Sequence, residues 1–405
     1  MKASESSPDG RCHKVKVAAT GPRSYPFAGR SGGIINGNMK RFLVLGIGPA
    51  QVDLLRALRG HFESHALSHT ADGPGRSLAD HFARIDITDR QAVSDYASRQ
   101  AVDFVYSIGS DVAMPTACRV SERLGLPRFV ASEAADWCQN KVAMRQRLRD
   151  LPGSLPFQRV TRADDTVRLP FPLMMKPADS QGQRGVIRVE SEPDYRAAFD
   201  STLRHSRSGQ VILERLIEGV EVSAHAWIRR GELVWSLISD RVSWPGVPGG
   251  VIHKHTLPTS LGADARAKVR DLVAAVTKRL EIWEGPAYFQ IKVEGGIPYL
   301  IEVAPRLDGC HLWRLIRAAG GPDLLAMTLS ALTTGKAMPD ENVTTSGVWT
   351  LEFFSAPPGT VFRSGDFSVR PDATHIEWYR DEESLVPASN GHMEKCGYQI
   401  YREPS

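Results

Sequence analysis

The sequence lacks the features that several large protein classes require. No run of eighteen or more apolar residues is present, which excludes a helix that spans a bilayer. The five cysteines, Cys12, Cys118, Cys138, Cys310 and Cys396, are an odd, widely spaced set without a CxxC pair, and read as a reducing cytoplasm without structural zinc. The excess of basic residues is small, 50 Lys and Arg against 46 Asp and Glu, and much of it sits in the first forty residues rather than in a stripe. Nucleic acid is therefore excluded as the main partner. No internal repeat is evident. With 405 residues, 42% apolar and 24% charged, the chain exceeds what one core organises, and two or three domains around shared clefts are expected.

Residues 1–38 are rich in Gly, Pro, Ser and basic residues and have neither hydrophobic periodicity nor the apolar centre of a secretory signal. They read as a flexible leader, either upstream of a start at Met39 or a processed segment. From 39 to 135 the pattern is α/β. FLVLGIG is a buried strand, and Val52, Leu55 and Leu58 recur at helical spacing before Gly60. DFVYSIGSD at 103–111 repeats the theme, which predicts a small parallel sheet whose carboxyl edge carries Gly46, Gly48 and Asp111 toward a cleft. The Gly46-Ile47-Gly48 turn is similar to a dinucleotide fingerprint, but Gln51 stands where the third glycine belongs, so it reads as a tight strand-to-helix turn. From 136 to 340 helices and antiparallel hairpins predict an α+β domain. Short strands around Pro-Gly turns from 341 to 405 predict a small β-rich closing domain.

Three segments carry chemistry. In PLMMKPADSQGQRGV, a strand delivers Lys176 and then enters a polar loop, where Ser180, Gly182 and Gly185 let backbone N–H groups approach an anion. This is a phosphate clamp but not a Walker loop, since no GK[ST] follows. Lys141, at the start of a helix, can add a second positive charge. In VILERLIEGVEVS, Glu214 and Glu221 flank a hinge whose carboxylates and free backbone groups suit an adenine amino group and a ribose diol. In YFQIKVEGGIPYLIEVAPRLDG, two strands joined at Gly295-Gly296 bring Gln290 and Glu302 to one face, a pair of oxygen ligands for Mg²⁺ beside a triphosphate. Arg306 follows on a Pro-led turn.

The order of these pieces resembles the ATP-grasp superfamily over roughly residues 41–400. The resemblance implies an ATP-grasp fold with a pre-grasp parallel-sheet domain. It implies that Lys141 and Lys176 bind the α and β phosphates, the main chain near Ile217 the adenine, Glu221 the ribose, and Gln290 and Glu302 magnesium, with manganese as an alternative. Arg306 would stabilise the tetrahedral intermediate. Ala304 stands where many members carry a metal-ligating Asn, which predicts a more weakly held second metal. The E-x-A-x-R pattern followed by Gly and His is most similar to L-amino-acid ligases and related carboxylate-amine ligases. The implied activity is amide-bond formation between a small carboxylic or amino acid and an amine through an acyl phosphate, releasing ADP and phosphate. The implied partners are those small molecules, with a homodimer admissible. Asp111, His255, His311 and Trp313 are further candidates for the acceptor pocket, and strand alternation puts His253 on the same face as His255. Two rivals are a carboxylase or carbamoylating enzyme acting through carboxyphosphate, and a non-catalytic nucleotide-binding regulator.

Overall fold

The computed structural model describes residues 34–35, 38–247, 250–336, 346–388 and 393–404. Most of the leader, and Cys12 with it, lies outside them; its described part is a minimal hairpin of β1 (Ile34–Ile35) and β2 (Asn38–Met39). The first layer is a parallel sheet built from β3 (Arg41–Leu45), α1 (Pro49–Leu58), β4 (Glu63–Ser68), β5 (His81–Arg84), α2 (Arg90–Arg99), β6 (Phe104–Tyr106) and α3 (Met114–Leu124), in strand order β5-β4-β3-β6. The apolar run of β3 is buried because helices cover the sheet. Gln51 explains the turn before α1: its side-chain oxygen accepts the Gly48 N–H at 2.8 Å and its amide nitrogen donates to the Ile108 carbonyl. The helix N-terminus that a dinucleotide phosphate would need is closed by this side chain.

Helices α4 (Ser132–Gln139) and α5 (Lys141–Leu148) lead into an antiparallel sheet of β7 (Phe157–Val160), β8 (Leu173–Pro177), β9 (Ile187–Val189), α6 (Glu192–Leu203) and β10 (Val211–Arg215), ordered β7-β10-β8-β9. Asn140 caps α5 by accepting the Ala143 N–H, which fixes Lys141 as its first residue. The third layer is formed by β11 (Val220–Arg229), β12 (Glu232–Ser243), β13 (Ile252–Leu257), α7 (Ala263–Arg279), β14 (Glu284–Glu294), β15 (Ile297–Ala304), α8 (Leu312–Ala318), α9 (Leu324–Thr334), β16 (Trp349–Ala356), β17 (His375–Trp378) and β18 (Glu394–Arg402). Its eight strands run β15-β14-β11-β12-β13-β16-β18-β17, so the C-terminal strands are hydrogen-bonded into the sheet that carries Glu221, Gln290 and Glu302.

Along β11 the residues alternate. Val222, Ala224 and Ala226 enter the core, and Glu221, Ser223 and His225 face the other side. Helix α7 lays Val269, Leu272, Val273 and Val276 against the sheet. One hydrophobic cluster runs from Phe42 on the first sheet and Leu54 on α1 through Phe129 to Phe289 and Leu351 on the large sheet. Gly295 and Gly296, both at positive φ, make the expected tight turn between β14 and β15.

Candidate active site

The antiparallel sheet and the large sheet enclose a cavity of about 320 Å³ lined by residues of both. Lys141, Lys176, Ser180, Gly182, Glu214, Ile217, Glu221, Gln290 and Glu302 all border it, so residues expected to act together from five separate segments do meet. Gly185 does not. A Cβ there would fall 2.8 Å from His205 and 3.0 Å from Pro177, so this glycine serves the packing of the loop onto the end of α6.

Buried charge organises the cavity floor. Lys176 pairs with Ile212 across β8 and β10, on the same face as Glu214 two residues on, and its Nζ lies 2.6 Å from Glu214 Oε2. Arg145 of α5, wholly buried, donates from Nε to Glu214 Oε1 at 2.7 Å and from Nη2 to the Ile301 carbonyl at 3.0 Å. Burial raises the Glu214 carboxyl, but the adjacent Arg145 and Lys176 charges outweigh it and bring its pKa down to about 2. Glu214 is thereby an ionised anchor for two cations rather than a free acceptor. Lys141 Nζ donates to the Ser180 carbonyl at 2.8 Å, which ties the glycine-containing loop down beside both lysines.

At the hinge, Lys292 of β14 donates to the Ile217 carbonyl at 3.1 Å. Glu221 accepts from Arg241 at 2.8 Å and from the Gln290 amide nitrogen. That orientation leaves the Gln290 amide oxygen for a cation. Gln290 is directly opposite Glu302 in the β14–β15 ladder, and among the described residues the Glu302 carboxylate has no side-chain hydrogen bond. A carboxylate and an amide oxygen on one face, beside two lysines that suit phosphates, fit Mg²⁺ with its preference for few protein oxygens and several waters. Ala304 is buried and offers no ligand.

Arg306 stands beyond the metal pair. Its Nη1 donates to the Leu307 carbonyl at 3.0 Å and its Nη2 to Asp111, while its buried Nε has no hydrogen-bond partner. Asp111 reaches it because the loops at 109 and 309 nearly touch. Gly109 has positive φ, and a Cβ there would lie 2.8 Å from the Gly309 Cα. Burial opposes the Arg306 charge, but Asp111, Glu302 and Asp308 more than compensate, and its pKa is raised. The phosphate loop closes on the same corner: the Gln181 side-chain oxygen accepts the Asp111 N–H at 3.0 Å.

Strand register extends this face further. His225 is directly opposite Tyr288, Ser223 is opposite both Gln290 and Ser239, and Arg241 is opposite His255. His225 Nε2, both His255 nitrogens and the Ser239 hydroxyl are buried without hydrogen-bond partners. Burial lowers the pKa of His225, as it does for His255, where the charges of Arg241 and Lys395 add to the effect, so both imidazoles are neutral at pH 7. Lys395, from β18, packs its ammonium over the Phe353 ring at 3.8 Å and 3.2 Å from Cys310 Sγ. Of this group Arg241 lines the cavity, and His225, Ser239 and His255 adjoin it through strand register.

His311 and Trp313 lie elsewhere. Both hydrogen-bond the buried Asp53 of α1, at 3.2 and 3.0 Å, and the His311 ring stacks on Tyr398 with centroids 4.5 Å apart. His253 stacks on Trp244 and meets Glu352 at 3.1 Å. Arg145, Arg241, Lys292, His225 and Lys395 were not singled out from the sequence. An Asp-Arg pair at the end of a largely apolar strand, as in LVWSLISDRV, was the available signal for Arg241.

Residues 169–312 match the family model described as ATP-grasp domain. Carnosine synthase 1 from Mus musculus is 25% identical over 340 residues, 74% of this chain, and the chain spans only 40% of that relative's length. The L-amino acid ligase from Bacillus licheniformis shares the fold with a TM-score of 0.72 at 18% identity, covering 90% of this chain and 94% of that one. The biotin carboxylase domain of the Hydrogenobacter thermophilus 2-oxoglutarate carboxylase, solved with MgADP and bicarbonate, also has a TM-score of 0.72, at 14% identity over 90% of this chain and 86% of that one. The fold is that of the ATP-grasp enzymes. Among the described residues no helix is long and apolar enough to cross a membrane, and the four described cysteines are unpaired.

Proposed function

We propose that this chain, an ATP-grasp protein, is an ADP-forming carboxylate-amine ligase that joins a small carboxylic or amino acid to an amine through an acyl phosphate. The observation that carries the reading is the buried polar face beyond Arg306. A site for carboxyphosphate alone needs no such face, whereas unpartnered His225, Ser239 and His255 next to Arg241 and Lys395 suit an organic substrate with polar groups of its own. Similarity to carnosine synthase and the fold of the L-amino acid ligase support the same class. The unpaired cysteines suit a cytoplasmic enzyme.

In this reading a carboxylate oxygen attacks the γ-phosphorus of ATP in line, the new O–P bond forms and the bond to ADP breaks. Lys141 and Lys176 offset the charge on the phosphates. Gln290 and Glu302 would hold Mg²⁺, or Mn²⁺, which polarises those phosphates when bound. The amine then attacks the acyl carbon, Arg306 steadies the oxyanion, and the C–O bond to phosphate breaks. The buried His225 Nε2, which has no hydrogen-bond partner, can take the proton that the amine sheds. Closure of the loop around Gln181 keeps water from the acyl phosphate.

An acid labelled with heavy oxygen tests this. One label atom should pass to phosphate per turnover, the products should be ADP and phosphate, and hydroxylamine should trap the activated acid as a hydroxamate. AMP formation, or ADP formation that needs bicarbonate and no organic acid, overturns the assignment in favour of an adenylating or carboxyphosphate enzyme. No turnover with any acid and amine pair overturns it in favour of a nucleotide-binding regulator, for which the Ala304 substitution is the motive.

A further inference from the structure

The first sheet holds a cluster of potential metal ligands away from the nucleotide cavity. Glu63 and His65 are two apart on β4 and so share one face, and His81 on the edge strand β5 is directly opposite His65. Two ligands at i and i+2 of one strand and a third across the ladder place three donor atoms within reach of one ion. Here the ligand atoms all lie within 4.8 Å of one another. We infer that Glu63, His65 and His81 form a site for a divalent transition-metal ion, zinc by preference.

The details of each side chain support this. Glu63 Oε1 lies 2.9 Å from His81 Nε2 and 3.6 Å from His65 Nε2, so one carboxylate oxygen faces both rings. The other oxygen is held at 3.1 Å by Arg41 Nε, and Arg41 is itself anchored to the Gln100 carbonyl at 2.8 Å. The carboxylate is thus oriented by a neighbour, as metal-binding carboxylates are. His65 is 1% exposed, and its Nε2 has no hydrogen-bond partner although it is aimed at the cluster. Its Nδ1 lies 3.0 Å from the Tyr96 hydroxyl. When Nδ1–H donates to that hydroxyl, the Nε2 lone pair points at a carboxylate oxygen, a repulsive contact that a cation between them converts into two bonds.

Two imidazoles and one carboxylate favour zinc over magnesium or calcium, which prefer all-oxygen sets. The fourth position opens to solvent at the sheet edge, since the His81 side chain is 52% exposed, and a water would fill it. The Arg41 charge works against a dication, so the ion is expected to bind reversibly. Bound there, it would tie the edge strand β5 to β4.

Titration of the full chain with Zn²⁺ and with Co²⁺, in excess Mg²⁺ and ADP so that the nucleotide cavity is filled, tests the site. One equivalent should bind, with the visible absorption of tetrahedral Co²⁺. His81→Ala, at an exposed position, and His65→Gln should each weaken it at least about tenfold, and Glu302→Gln should leave it unchanged. No saturable equivalent, or one that survives His81→Ala, overturns the proposal. Loss on Glu302→Gln instead places the ion in the nucleotide cavity and overturns it equally. If His65→Gln fails to fold, His81→Ala decides alone.

Discussion

Asp53 and Glu214 are both completely or almost completely buried carboxylates held by arginine, but their surroundings differ. Asp53 of α1 accepts from Arg314 through both oxygens and from His311 and Trp313, and it does not line the cavity that Lys176 borders. Burial works against its charge, yet these donors hold its carboxyl far below the usual carboxylate range. Glu214 accepts from Arg145 on one oxygen and Lys176 on the other, and Lys176 borders the open cavity between the two sheets. The difference separates a lock from a site. Where every donor around a buried charge is turned inward, the charge joins α1 to α8; where one donor faces open space, the charge holds that donor ready for something else.

Substitutions should break the comparison in opposite ways. The largest effect is expected for Asp53→Ala, which leaves Arg314 partly buried with a weaker partner: a loss of about 3–5 kcal/mol of stability by denaturant unfolding. A loss below about 1 kcal/mol would show that the network is not a lock. Lys176→Ala should keep the fold and lose ATP turnover by roughly a hundredfold, about 3 kcal/mol of transition-state stabilisation, measured as ADP release. Near wild-type turnover would sink the phosphate role. The smallest effect is expected for Gln181→Ala. Losing its hydrogen bond to the Asp111 N–H should cost about 1 kcal/mol and raise the KM for ATP several-fold, with the melting temperature unmoved.

The same contrast explains what could be read in the chain. Local signals were legible: the strand that delivers Lys176, the Gly295-Gly296 turn that sets Gln290 opposite Glu302, and the helix that starts at Lys141. Each depends on residues a few positions apart. Long-range pairings were not. His311 looked like a pocket residue because it follows Arg306, but its partner Asp53 is 258 residues away. Asp111 was named as a candidate for the acceptor pocket, but its partner Arg306, 195 residues on, could not be read from the sequence. Glu63, His65 and His81 left no cysteine-like spacing to notice, because the third ligand arrives through strand pairing. Lys395 comes from a C-terminal strand that joins the central sheet, and nothing near it in sequence points to His255.

That junction gives the last strands a second consequence. β16 is what stops β13 from being the end of the sheet, and β18 and β17 in turn cover β16. A chain cut before Trp349 would leave β13 with its outward N–H and C=O groups unpaired. Its inner face carries the buried His255, and Leu257 follows in the same strand. An open edge of this kind recruits the matching edge of another molecule. The tail therefore shields the sheet from self-association, and shortened forms should be lost to aggregation before any defect in chemistry could be seen.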